Sequence, residues 1–508
     1  MTIELGTNSN LTIDDLVAVA RQHVPVIFSK NYIDRVKASR KLVDKWVDEE
    51  RVMYGITTGF GVLCTEVISK EDTAILQRNI VITHATSVGE KMPEEEVRAI
   101  MLMMLQNTGL GYSGIRFETV ELIRQCLNLG LTPFVPRDGS VGYLSVEGHI
   151  VVSLIGEEKM LYQGEWLNSK EALEKAGLEP LSLATKEGLA LLNGATSPTA
   201  LAALSLYDML QASKSADIIA AMSLEVLKGT LRAFDEKVMN LKLHVQQKET
   251  AENIRKLLAD SNIAQSHIDH RLQDALSLRA IAQLHGAVKK TLSDARLTIE
   301  NEMNSCSDNP VIMPDGDDGY AMSSCNCDAA YVGLEIDSAS IATTMLAKMS
   351  ERRNVRLIDG NLSGYPWFLV KKPGLNSGLM IPQYTQAGLL NEMKMLSMPA
   401  VVDNISTCGG QEDYVSMGYN AAKKAASIVS KLEYILSIEL LSVYQAHQFM
   451  EKEFTPGSAT QAVLQEIRKS VPAMENDMYL YPHILTLKDM IHQGSLIKVV
   501  EEKIGLLI

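Results

Sequence analysis

The chain has 508 residues, 46% hydrophobic, 22% charged and 5% aromatic, which is enough to bury a large core and excludes disorder as the overall state. With 62 acidic against 48 basic side chains the formal net charge is -14, a field that disfavours nonspecific binding to nucleic acid or to an anionic membrane. Six cysteines at this length make no disulfide framework, and Cys325-Asn326-Cys327, with one intervening residue and no second pair nearby, is a poor structural zinc motif.

Met1-Thr2-Ile3-Glu4-Leu5 shows no targeting pattern, so the default expectation is a cytoplasmic protein. Thr12 predicts a helix cap for residues 13–21, with Asp14 and Asp15 in the first turn. Helical periodicity continues over 72–87, 94–108 and 116–129, separated by glycine-rich turns at 54–61 and 109–114. Residues 133–142 carry Pro133, Pro136, Gly139 and Gly142 and read as a loop. The apolar stretch from Leu189 to Leu210 is broken by Asn193, Thr196, Ser197 and Pro198, and so reads as buried helix rather than a membrane span.

Long runs rich in Ala, Leu, Met, Glu and Lys follow at 199–231, 250–259, 273–302, 333–351, 382–398, 414–449 and 459–469. The chain is therefore expected to be mainly α. Strand-like pieces are confined to 310–313 and 367–370, too few for repeated βαβ units. A boundary near 198 divides a loop-rich N-terminal region with the active-site loops (1–198) from a long-helix bundle and C-terminal helical region (199–508). Helices beyond 25 residues need their apolar faces covered along their whole length, which predicts an oligomer.

Several polar groups stand on this apolar scaffold. Tyr54, at the edge of a glycine-rich turn, is either a half-buried phenol with a backbone partner or a phenolate base. His84 and Asn193 each read equally as structural or ligand-binding residues. Gln273, Arg279 and Gln283 roughly share one helical face, and Arg279 suits either a substrate carboxylate or an internal salt bridge. Gln411-Glu412-Asp413-Tyr414, after two glycines, reads as a helix N-terminus or as part of a site.

Together these clusters resemble the histidine and phenylalanine ammonia-lyase family. The segments that carry the resemblance begin with Tyr54-Gly55-Ile56-Thr57-Thr58-Gly59-Phe60-Gly61, Leu76-Gln77-Arg78-Asn79 with His84-Ala85, and Gly111-Tyr112-Ser113-Gly114. Leu192-Asn193-Gly194, Ser277-Leu278-Arg279 and Asp308-Asn309-Pro310 follow, then Ser350-Glu351-Arg352-Arg353 and Gln411-Glu412-Asp413. The resemblance implies an ammonia-lyase/fumarase-like superfamily fold with a long central helix bundle. It also implies a cytoplasmic homotetramer whose sites draw residues from three subunits.

By the same resemblance Tyr54 is the catalytic base and Arg279 the carboxylate clamp, while Asn193 binds substrate and His84 lies near its ring. Glu412 stands where histidine-specific members carry Glu and, with Lys394, orients the ring. Gln273, Asn326 and Tyr384 are expected to bind substrate, as are Tyr143 and Asp328, which would face a cationic leaving group.

The family's electrophile, a methylidene-imidazolone, forms from Ala-Ser-Gly, but here Tyr143-Leu144-Ser145 occupies that place. Leu144 has no hydroxyl to eliminate, and Ser145 is bulkier than the glycine that lets the backbone fold back. This departure suggests a substrate with a ready-made leaving group. The pattern resembles ergothionase, implying removal of trimethylamine from ergothioneine, or a related trimethylammonium histidine betaine, to give thiourocanate. The alternatives are a histidine ammonia-lyase or aminomutase using another route, and a non-catalytic relative used for binding or assembly. Neither a metal nor a separate cofactor is expected, and the partners expected are a small-molecule substrate and further copies of the chain.

Overall fold

Helix dominates the chain, as its composition predicts. The computed structural model describes residues 1–508 except Phe60, Cys64, Val67, Lys70 and Glu71, so Phe60 of the glycine-rich motif and Cys64 lie outside the described residues. Helix α1 (Ile13–Gln22) starts on a capping box: Asp15 N–H donates to Thr12 Oγ1 at 3.2 Å, and Thr12 N–H donates to Asp15 Oδ2 at 3.0 Å. The next elements that matter for the site are α2 (Thr73–His84), α3 (Ser145–Leu154) and α4 (Glu187–Leu192). The long helices are α5 (Thr196–Val226), α6 (Ile281–Met303), α7 (Ala330–Ile358), α8 (Met380–Leu396) and α9 (Gly418–Ala446). Three of them exceed 25 residues: α5 with 31, and α7 and α9 with 29 each. The apolar stretch Glu187–Val226, long enough to cross a membrane, is buried within the protein over its most apolar window.

Local pattern fails at three places. The run 273–302 is two helices, Leu276–Arg279 and α6, broken at Ala280, and Gln273 lies in the preceding loop. Gln273, Arg279 and Gln283 therefore share no helical face, because Arg279 Nε donates back to the Asp274 carbonyl at 3.0 Å and closes a loop there. Residues 367–369 form a 3-10 turn rather than a strand, since Phe368 and Leu369 have φ of 55° and 56°, which no ladder accommodates. Finally, Ile3–Leu5 pairs in parallel with Val26–Phe28 across α1, a single strand-helix-strand unit too short to stand out in the pattern. The strand expected at 310–313 is β1 (Val311–Asp315), hairpinned onto β2 (Asp318–Met322).

The chain divides into two compact units, each assembled from separate segments. The first is Met1–Tyr207, Ala295–Asp337 and Pro399–Lys424; the second is Asp208–Asp294, Ser338–Met398 and Ala425–Ile508. In the first unit, buried Arg98 donates to the carbonyls of Val19 (2.9 Å), Ala20 (3.2 Å) and Leu127 (3.0 Å), satisfying the ends of α1 and of helix Phe117–Leu129.

In the second unit, the fully buried Arg353 and Glu439 form a two-point ion pair at 2.6 and 3.0 Å. Glu225, also wholly buried, accepts from Gly457 N–H at 2.8 Å and from the Ser261 hydroxyl. Burial pushes its carboxyl from 4.5 up to about 7 even against those donors. The folded protein thus keeps a proton that the unfolded chain releases. This contribution to stability is complete below 4.5 and is lost as pH rises through about 7. Glu225→Gln is expected to flatten that decline. Urea unfolding across the window should separate variant from wild type by on the order of 3 kcal/mol at most, at about 1.4 kcal/mol per pH unit. Parallel curves would remove Glu225 as the cause.

Candidate active site

Loops of the first unit surround a cavity of about 630 Å³ lined by Tyr54, His84, Tyr143, Asn193 and Glu412. The tyrosine loop turns on Gly55 (φ 66°) and Gly61 (φ 54°), and Gly61 N–H donates to the Tyr54 phenol oxygen at 3.3 Å. A donor at that oxygen favours the phenolate. Glycine suits position 61 because of its φ of 54°, and a Cβ there would also press on Cys408 Sγ at 2.5 Å.

His84 ends α2, and its Nδ1 pairs with the Ile80 carbonyl at 2.7 Å, which fixes Nδ1 as the protonated nitrogen and Nε2 as an acceptor. Burial lowers its pKa below the ordinary value, opposed by the Ile80 carbonyl and by Glu412, so the ring is neutral at pH 7. Glu412 pairs with Thr407 in an antiparallel bridge, and Thr407 Oγ1 donates to Glu412 Oε2 at 2.8 Å. The Tyr143 hydroxyl donates to the same oxygen at 3.4 Å. Burial and then Glu412 raise the phenol pKa of Tyr143, keeping it a donor.

Asn193 caps the C-terminal end of α4, and its amide donates to the Asn309 carbonyl and, at 3.4 Å, to Asp308 Oδ1. The other Asp308 oxygen takes the Lys186 ammonium at 2.9 Å, both side chains wholly buried. Lys186 is the residue just before α4, so one carboxylate holds both ends of that helix. The last carbonyl of α4, that of Leu192, accepts Leu144 N–H at 3.1 Å.

Leu144 is thereby held at φ 76°, ψ -61°, a positive-φ γ-turn in which Ser145 N–H donates to the Tyr143 carbonyl at 3.1 Å. The turn presses nitrogen 145 toward carbonyl 143, as ring closure would require. The side chains do not fit the family's imidazolone: Leu144 offers nothing to eliminate, and Ser145 is the first residue of α3, carrying a Cβ where the ring needs glycine.

The remaining expected residues stand elsewhere. Asp328 Oδ1 accepts Ala330 N–H at 2.9 Å and so caps α7, and Asn326 is exposed with its amide on the Cys306 carbonyl at 3.2 Å. Neither lines the cavity. Tyr384 and Lys394 are exposed on α8 of the second unit. Gln273 and Arg279 line a separate hollow of that unit with Arg232 and Arg271. Among the described residues lining the cavity there is no lysine or arginine. Sequence reading missed the Lys186–Asp308 pair and Thr407. Asp308 was visible within Asp308-Asn309-Pro310, but nothing near Lys186 marks it.

A family model for aromatic amino acid lyases matches residues 11–469. Over 498 residues the chain is 41% identical to a histidine ammonia-lyase of Caldanaerobacter subterraneus subsp. tengcongensis, covering 97% of each chain. The structure of histidine ammonia-lyase from Trypanosoma cruzi superposes with a TM-score of 0.92 at 32% identity, covering 99% of this chain and 95% of that one. Ergothionase from Treponema denticola, solved with desmethyl-ergothioneine sulfonic acid, superposes with a TM-score of 0.90 at 27% identity, covering 98% and 99%. The expected ergothionase-like reaction is overturned by the much higher, full-length identity to histidine ammonia-lyase. The reason is chemical: losing the tripeptide removes an electrophile but does not specify which amine leaves.

Proposed function

The chain belongs to the aromatic amino acid lyase family, and from that we propose that it is a carbon–nitrogen lyase converting histidine to urocanate and ammonia. The observation that carries this reading is the Glu412 carboxylate on the same cavity as the Tyr54 phenol and the neutral His84 ring. A carboxylate there accepts an imidazole N–H and favours the cationic ring. Tyr54 removes a β-proton; the charge left on that carbon is conjugated with the ring, and protonation of the ring lowers its energy. The amine then departs as neutral ammonia from its protonated form, with no imidazolone involved.

Asn193 and Tyr143 line the cavity beside the substrate, their donors held by Asn309, Asp308 and Glu412. The substrate carboxylate needs a cation that the cavity's described lining lacks. In this proposal Arg279 of another copy in a homotetramer supplies it, Lys394 of another copy helps Glu412 orient the ring, and Gln273 and Tyr384 complete the site. L-Histidine should yield urocanate, followed by its ultraviolet absorbance, and equimolar ammonia. A folded protein that gives neither overturns the assignment, and recovery of a β-amino acid instead would make it an aminomutase.

A further inference from the structure

Three thiols on the cavity wall have no part in that reaction, and two of them, Cys325 and Cys327, stand two positions apart in the chain. Cys325 and Cys327 both line the cavity; Cys325 is exposed and Cys327 buried. Asp328 N–H donates to the Cys325 carbonyl at 3.1 Å, closing a turn with Asn326 and Cys327 at its centre. The Asn326 amide ties that turn down through the Cys306 carbonyl at 3.2 Å. Two Cα–Cα steps of about 3.8 Å folded through a turn fall inside roughly 7 Å, the reach of a disulfide. Both thiols and the Tyr143 phenol line the same cavity.

We propose that Cys325 and Cys327 are a dithiol modification site in the cavity wall that reacts with low-molecular-weight disulfides and closes to an intramolecular disulfide. The exposed Cys325 sulfur attacks one sulfur of the incoming disulfide. The S–S bond breaks, one thiol leaves with the Cys325 proton, and a mixed disulfide remains. Cys327 sulfur then attacks Cys325 sulfur and expels the second thiol, which takes the Cys327 proton. Two protein thiols are oxidised and one small disulfide is reduced to two thiols. The order of events follows from the surroundings: burial, then the neighbouring Cys325, push Cys327 up to about 12, so it is the slower nucleophile and acts second. Buried Cys126, likewise pushed up to about 12 by burial, is expected to stay reduced.

The test is incubation of the full-length protein with oxidised glutathione, alkylation under denaturing conditions and peptide mapping. The expected product is a Cys325–Cys327 disulfide that dithiothreitol reverses. Cys327→Ser should stop at a glutathione adduct on Cys325, and Cys325→Ser should slow loss of the Cys327 thiol by at least about tenfold. Circular dichroism checks the fold of each variant, and Cys327→Ala replaces a serine variant that does not fold. Adducts spread evenly over Cys306, Cys325 and Cys408, or a wild-type pair still fully alkylated when Cys408 is modified, would overturn the proposal.

Discussion

Tyr54→Phe is expected to cut histidine turnover by about 10²- to 10⁴-fold, the usual worth of a positioned acid–base group. An ordinary phenol titrates near 10, so a phenolate base at neutral pH needs stabilisation at its oxygen. The Gly61 amide at 3.3 Å provides one such donor. Phenylalanine keeps the ring and the glycine turn, so helix content and the unfolding midpoint should stay close to wild type, within roughly 1 kcal/mol. The loss should fall on kcat rather than on the binding of urocanate as a product inhibitor, since Glu412 and His84 remain. Any residual activity should also lose the rising limb of the pH profile that deprotonation of a base produces. Turnover within a few-fold of wild type would remove Tyr54 from the role and leave His84 Nε2 as the next acceptor on the cavity.

What was legible in the sequence was what neighbours in the chain decide. The Thr12 cap stands next to the helix it starts, and the structure has it, with Asp15 closing a reciprocal bond that the sequence reading did not name. The long helices announce themselves by periodicity, and Tyr54, His84, Tyr143, Asn193 and Glu412 do meet around one cavity. What failed depends on partners far away in the chain. The run at 411–414 looks like a helix start, but the Thr407–Glu412 bridge holds it in a loop, and α9 begins only at Gly418. Asp308 gathers Lys186 from 122 positions away and Asn193 from 115, a relation that no local pattern carries. Asp328 was read as a charge facing the leaving group, yet its carboxylate is used two residues on, by the first amide of α7.

The intact mass of the purified protein is expected to equal that of its unmodified sequence, with no water lost across Tyr143-Leu144-Ser145. The backbone at that place is another matter. A leucine at φ 76°, ψ -61° costs on the order of 1–3 kcal/mol, which its surroundings must supply. They do so through Leu192, whose carbonyl fixes Leu144 N–H, and through Asp308, which fixes both ends of α4. None of these contacts uses a side chain of residues 143–145. The turn should therefore survive replacement of those side chains by Ala, Ser and Gly. In that triple variant nitrogen 145 can close on carbonyl 143 with loss of one water, and the new serine can lose a second. Mass spectrometry of the 143–145 peptide should show both losses, whereas Leu144→Ser with Ser145 retained should show neither, since a Cβ still crowds the ring. An unmodified triple variant that folds would mean that the compressed turn alone does not drive closure. One water missing from the wild-type 143–145 peptide would mean that the Ser145 Cβ is no barrier to closure, and the premise that no ring forms there would fall.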